Sequence, residues 1–164
     1  MTTLHDFTVK AIDGKSRALS DFSGKVLLVV NVASRCGLTP QYTALEELHR
    51  KYEPRGFSVV GFPCNDFGAQ EPGTEAEIQA FCESKYDVTF PLFSKVHVGG
   101  AEQSPVYAFL TAEEAPPKGK GDVAWNFEKF LVDRQGRVLA RFAPPTAPLD
   151  PEITDAIDRA LGES

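Results

Sequence analysis

The residues of this chain best able to do covalent chemistry are its three cysteines, Cys36, Cys64 and Cys82. Cys36 lies in Ser34-Arg35-Cys36-Gly37-Leu38, between an aliphatic run and the start of a helical pattern. A thiol at such a strand-to-helix turn faces unpaired backbone N–H groups and the positive end of the helix dipole, and both favour the thiolate form. Arg35 adds a positive charge next door when it turns the same way, and Gly37 lets a reactant come close to the sulfur. The fourth position of a Cys-x-x-Cys dithiol is here Thr39, so any disulfide partner for Cys36 comes from elsewhere in the chain. Cys82 stands near the end of a helical pattern in which Ile78, Phe81 and Cys82 share a face, a setting that also suits a core residue.

The elements that must position these thiols follow from hydrophobic spacing. Leu4 to Ile12 alternates loosely and ends at Asp13-Gly14, a hairpin signal. Lys25 to Ala33 is a continuous aliphatic run, which reads as a central strand covered on both faces. Thr39-Pro40 opens a helix whose buried stripe is Tyr42, Leu45, Leu48 and Tyr52, and Pro54-Arg55-Gly56 ends it. Phe57 to Phe62 is a second buried strand. Thr74 and Glu77 form a capping box for a helix through about Lys85. Ser104-Pro105 starts a third helix with Val106, Phe109 and Leu110 inward. Phe127 to Asp133 and Arg137 to Phe142 flank Arg134-Gln135-Gly136 as a hairpin. Asp150-Pro151 starts a last helix with Ile153, Ile157 and Leu161 on one face. An early βαβ and a late ββα sharing one sheet is the thioredoxin-like plan: an α/β fold with a central mixed sheet flanked by helices, here preceded by an N-terminal β-hairpin.

At 164 residues the chain reads as a single domain, 1–164, long enough to fold without a metal or disulfide staple. Ala115 to Gly121 is a loop by composition, not a domain linker. A net charge of −6 argues against a nucleic-acid or anionic-membrane surface. No basic start followed by an apolar run is visible at Met1 to Phe7, and no apolar stretch approaches the ~20 residues of a membrane span. The expected compartment is therefore the cytoplasm, where thiols stay reduced.

Three segments carry a resemblance. Asn31-Val32-Ala33-Ser34-Arg35-Cys36-Gly37, Gly61-Phe62-Pro63-Cys64-Asn65-Asp66-Phe67-Gly68-Ala69-Gln70-Glu71-Pro72 and Trp125-Asn126-Phe127-Glu128-Lys129-Phe130-Leu131 resemble, in order and interval, the signatures of the glutathione peroxidase family. The resemblance spans essentially the whole chain. It implies reduction of hydrogen peroxide or organic hydroperoxides and a catalytic tetrad of Cys36, Gln70, Trp125 and Asn126. Neutral amide and indole donors suit this chemistry, because they stabilise a thiolate and a leaving oxygen without titrating. The three histidines, His5, His49 and His97, match no site of the family. Asp66 departs from its pattern, which has Gln there.

The family resemblance also bears on recycling. Oxidation of Cys36 gives a sulfenic acid that must be trapped before it oxidises further. The stretch around Cys82 resembles the thioredoxin-dependent branch, which makes Cys82 the candidate resolving cysteine. Cys64 has no general catalytic role in the family and reads as structural. The implied reductant is thioredoxin, with no resident cofactor or metal. The alternatives are glutathione dependence, which needs no resolving cysteine, and a peroxide sensor that passes its oxidation to a partner protein. The stretch from Ala112 to Ala124 lacks the longer insertion of tetrameric members and implies a monomer.

Overall fold

A computed structural model describes residues 2–162. A short hairpin of β1 (Thr8–Lys10) and β2 (Ser16–Ala18) turns at Asp13-Gly14, as expected, but Leu4–Asp6 ahead of it is a 3-10 turn rather than strand. The main sheet has the order β4-β3-β5-β6. At its centre β3 (Val26–Val32) is buried at all seven positions, which is why its sequence does not alternate. It pairs in parallel with β4 (Phe57–Pro63) and antiparallel with β5 (Lys129–Val132), which pairs antiparallel with β6 (Val138–Phe142). The fold is the thioredoxin-like α/β plan.

Alternate residues of β3 feed two cores. Val26, Leu28, Val30 and Val32 face α1 (Gln41–Tyr52), α2 (Glu75–Tyr86) and α4 (Pro151–Gly162). Leu27 and Val29 face the opposite core, which holds Phe62, Phe93 and α3 (Pro105–Ala112). Tyr42, Leu45, Leu48 and Tyr52 are all buried, each contributing on the order of 2 kcal/mol of transfer free energy that holds α1 to the sheet. Cys36 and Cys82 belong to the first core and Cys64 to the second, so the sheet separates Cys64 from the other two thiols.

Three sequence expectations are corrected. Regular helix begins at Gln41, one residue after Pro40, because overlapping turns from Cys36 to Thr43 lead into it. Tyr107 is fully buried on α3 alongside Val106 and Leu110, whereas Phe109 packs against the same core only half-buried, beside Phe7. The strand expected from Phe127 starts at Lys129: Phe127 has φ 69°, a left-handed turn that no strand residue adopts.

Candidate active site

Cys36 sits where β3 has ended and α1 has not begun. Its side of the turn is bolted by Thr39, whose hydroxyl donates to the Ala33 carbonyl at 2.8 Å and accepts the Cys36 N–H at 2.9 Å. The position that would hold the second thiol of a Cys-x-x-Cys therefore holds a hydrogen-bonding clamp. The Leu38 N–H points at the sulfur, 3.3 Å from Sγ. Cys36 is 8% exposed, and the neighbouring Gly37 is exposed, with nothing within 4 Å of where its side chain would stand. Arg35 is exposed and lines a cleft with Glu71 and Glu77.

Gln70 reaches this turn through its backbone: the Arg35 N–H donates to the Gln70 carbonyl at 3.0 Å. Gly68 and Ala69, both left-handed (φ 64° and 50°), reverse the chain just before it. That reversal sends Phe67 toward Trp125, with ring centroids 5.4 Å apart, and Gln70 toward Asn126, whose Nδ2 donates to Gln70 Oε1 at 3.0 Å. Asn126 is fully buried, and its Oδ1 has no partner. Trp125 is 37% exposed and stands in a turn ahead of β5 rather than at its start. Gln70, Trp125 and Asn126 thus form one connected group, linked to the Cys36 turn by the 35–70 backbone bond. Among the described residues the recorded donor to the Cys36 sulfur is Leu38, not one of these three.

Asn31 holds the third segment in place and was not singled out from the sequence. Its Nδ2 donates to the Trp125 carbonyl at 3.1 Å, its Oδ1 accepts the Glu128 N–H at 3.1 Å, and its carbonyl accepts the Phe127 N–H at 2.7 Å. The signal was available: one amide inside a fully buried aliphatic strand needs partners. Below it Glu128, buried, accepts from Lys118 and from Arg141 Nε (2.7 Å), while Arg141 also donates to the Gly119 and Asp122 carbonyls. This network fixes the loop that delivers Trp125. Lys129 is buried as well, its Nζ donating to the Phe127 and Pro144 carbonyls, and burial pulls it down to about 7.

The other thiols differ from Cys36. Cys82 is fully buried, and burial pushes its thiol up to about 11. Burial pushes Cys64 up to about 12, and its sulfur accepts the Asp66 N–H at 3.4 Å. None of the three forms a disulfide. Cys82 lies close to the C-terminal end of α2, where Asp87 closes the helix in a left-handed conformation (φ 52°). The Val88 N–H donates to the Cys82 carbonyl.

Asp66, the odd residue of its segment, has a role of its own. Its carboxylate accepts the Val98 N–H at 2.8 Å and pairs with His97 Nδ1 at 2.6 Å. Burial alone would raise this carboxyl, but the His97 and Val98 hydrogen bonds outweigh it and hold Asp66 below the usual carboxylate range. The pair staples the loop before Gln70 to the loop before α3.

A cysteine between the first central strand and first long helix of a thioredoxin-like sheet, with no second cysteine at that turn and an amide–indole group tied to it through the Arg35–Gln70 backbone bond, defines a thiol oxidoreductase without a Cys-x-x-Cys dithiol. Comparison with known proteins narrows this. The sequence profile described as Glutathione peroxidase matches residues 4–111. The chain is 51% identical to the hydroperoxy fatty acid reductase gpx1 of Synechocystis sp., over 97% of this chain and 96% of that protein. It is 44% identical to the thioredoxin/glutathione peroxidase BtuE of Escherichia coli, over 94% and 95%. The crystal structure of T. cruzi GPX1 superposes with a TM-score of 0.78 at 34% identity, covering 98% of this chain and 97% of that one. The chain belongs to the glutathione peroxidase family, and it is a thiol peroxidase that reduces hydroperoxides.

Proposed function

We propose that Cys36 is the peroxidatic residue, that Cys82 resolves its sulfenic acid, and that thioredoxin reduces the resulting disulfide. In the first step the Cys36 thiolate attacks one peroxide oxygen. The S–O bond forms as the O–O bond breaks, the other oxygen leaves as alkoxide or hydroxide, and it is protonated to the alcohol or water. The Gln70 and Asn126 amides and the Trp125 indole N–H stabilise the charge that moves onto that oxygen. In the free enzyme Gln70 and Asn126 satisfy each other, and a bound peroxide exchanges that bond for its own.

The observation that carries the recycling route is the division of thiols by the sheet: Cys82 shares a core with Cys36 and Cys64 does not. The name of E. coli BtuE, a thioredoxin/glutathione peroxidase, is compatible with either thiol, and the lack of an evident basic cluster around Cys36 among the described residues favours thioredoxin over glutathione. The enzyme works as a monomer in the cytoplasm, with a thiol co-substrate rather than a resident cofactor. The deciding experiment is a peroxidase assay with thioredoxin and its reductase against one with glutathione and its reductase. Turnover with thioredoxin at least about tenfold faster supports this reading. Equal or faster turnover with glutathione overturns the thioredoxin assignment.

A further inference from the structure

Glu71 is a carboxyl in a place where carboxyls are rare. It follows Gln70 directly, but its side chain turns to the other flank of the Cys36 turn. It is 1% exposed, its Oε1 accepts the Ser34 N–H at 3.1 Å, and its buried Oε2 has no partner. Its backbone is pinned at both ends: its N–H donates to Asn65 Oδ1 at 2.8 Å and its carbonyl accepts Lys95 Nζ at 3.1 Å. The Ser34 hydroxyl beside it is also buried without a partner. A cleft of about 200 Å³ separates this group from α2, lined by Ser34, Arg35, Glu71, Glu77, Ile78 and Phe81. Cys82 lies one turn beyond Ile78 on α2, in the core behind this lining, close enough for the Glu71 charge to raise its thiol and with the Tyr42 hydroxyl beside it but not in a hydrogen bond of good geometry.

The groups facing Glu71 are mixed. Arg35 and Lys95 lower its carboxyl, Glu71 itself raises Cys82 and Tyr42, and Glu77 lines the same cleft. Burial dominates and pushes Glu71 above the ordinary carboxylate range.

We propose that Glu71 carries the proton of the resolving step, through its unpartnered Oε2. This rests on the reading of Cys82 as the resolving cysteine. A buried thiol cannot attack until it loses its proton, and Cys82 is the more reluctant for being in the core. When the end of α2 opens, Cys82 leaves the core behind the Ile78 and Phe81 lining of this cleft, and Glu71 stays in place, held by Ser34, Asn65 and Lys95. Oε2 takes the Cys82 proton as that sulfur attacks Sγ of the Cys36 sulfenic acid. The S–S bond forms, the S–O bond breaks, and the departing hydroxide takes the proton back from Glu71 and leaves as water. Cys82 is oxidised, the Cys36 sulfenic sulfur is reduced, and Glu71 ends as it began.

The test follows both steps by rapid quench after less than one equivalent of hydrogen peroxide, trapping sulfenic acid and disulfide separately. In Glu71→Gln, which keeps the volume and the acceptor for Ser34, the rate of disulfide formation relative to sulfenic acid formation should fall at least about tenfold at neutral pH. It should recover toward wild type as the pH approaches the ordinary thiol range of about 8.5, where the exposed Cys82 ionises unaided. Equal slowing of both steps at every pH means a structural role and overturns the proposal, as does an unchanged ratio. If the Gln variant does not fold, Glu71→Asp decides: a resolving-step pH profile that superimposes on wild type overturns it. A Cys82→Ser enzyme that still recycles with thioredoxin removes Cys82 as resolver and the proposal with it. Failure of Glu71 alone looks different, because Cys82→Ser then stops recycling while Glu71→Gln changes nothing.

Discussion

The Cys36 turn and the Cys82 end of α2 place the same functional group in opposite physical settings on one face of one sheet. Cys36 has no helix around it, a backbone N–H aimed at its sulfur and open space over Gly37. Cys82 is sealed among Ile78, Tyr42 and their neighbours, with its own carbonyl committed to closing the helix. The difference teaches that reactivity here is controlled by backbone regularity. In the proposed cycle a thiol on irregular backbone, though only 8% exposed, is offered to peroxide without the fold opening, and a thiol inside a helix is withheld until that helix is disturbed. Cys64 is withheld more completely, because it lies across the sheet and no opening of α2 brings it over.

The largest effect should come from removing the offered thiol. Cys36→Ser abolishes peroxide turnover while leaving the thermal unfolding transition in place; turnover near wild type in a coupled peroxidase assay would end the assignment. Next comes the withheld thiol. Cys82→Ser should complete one turnover and then stall with thioredoxin, and mass spectrometry of the wild type after one equivalent of peroxide should show a Cys36–Cys82 cross-linked peptide pair. A Cys36–Cys64 pair would contradict the division of the thiols by the sheet. Third are the donors beside the offered thiol. Gln70→Ala, Asn126→Ala and Trp125→Phe should each lower the rate of Cys36 oxidation on the order of 10²-fold, read by stopped flow, without changing disulfide formation from a preformed sulfenic acid.

The smallest effect concerns the staple behind those donors. Asp66 has its folded carboxyl held below its unfolded value, so its contribution is present above the unfolded carboxylate range and is lost as pH falls through the folded value. Asp66→Asn should therefore lower the melting temperature at neutral pH, by about 2–4 °C if the staple contributes about 1 kcal/mol. The gap between variant and wild type should close in strong acid. A constant gap across that range would mean the carboxylate charge plays no part.

Much of this was legible in the sequence where one physical signal dominates. Val26 to Val32 could only be a doubly covered strand, and Thr74 with Glu77 could only open a helix. The Cys36 turn was legible because a strand run and a helical stripe bracket it. What stayed hidden depends on contacts between residues far apart in the chain. Glu71 beside Pro72 reads as solvated loop until Ser34 and α2 close over it. His97 and Asp66 carry no local pattern, and only folding brings them together. Phe127 belongs by composition to its strand, but Asn31 takes its N–H and turns it out of the ladder. Tyr107 and Phe109 differ in how deeply they are buried on α3, which helical spacing does not encode.

The two ends of α2 are unequally fastened. At Thr74 a reciprocal side-chain lock closes the first turn, whereas at Asp87 the helix stops on a non-glycine residue with φ 52°. Side chains in that conformation cost about 1 kcal/mol relative to glycine, enough to raise the population of an unwound terminus about fivefold. The end with the strained torsion is the one that carries Cys82, where Arg50 and the Val88 N–H supply the closing hydrogen bonds. In the proposed cycle, one backbone torsion then helps set how long a sulfenic acid waits, and so what fraction of the enzyme is lost to irreversible oxidation under a heavy peroxide load.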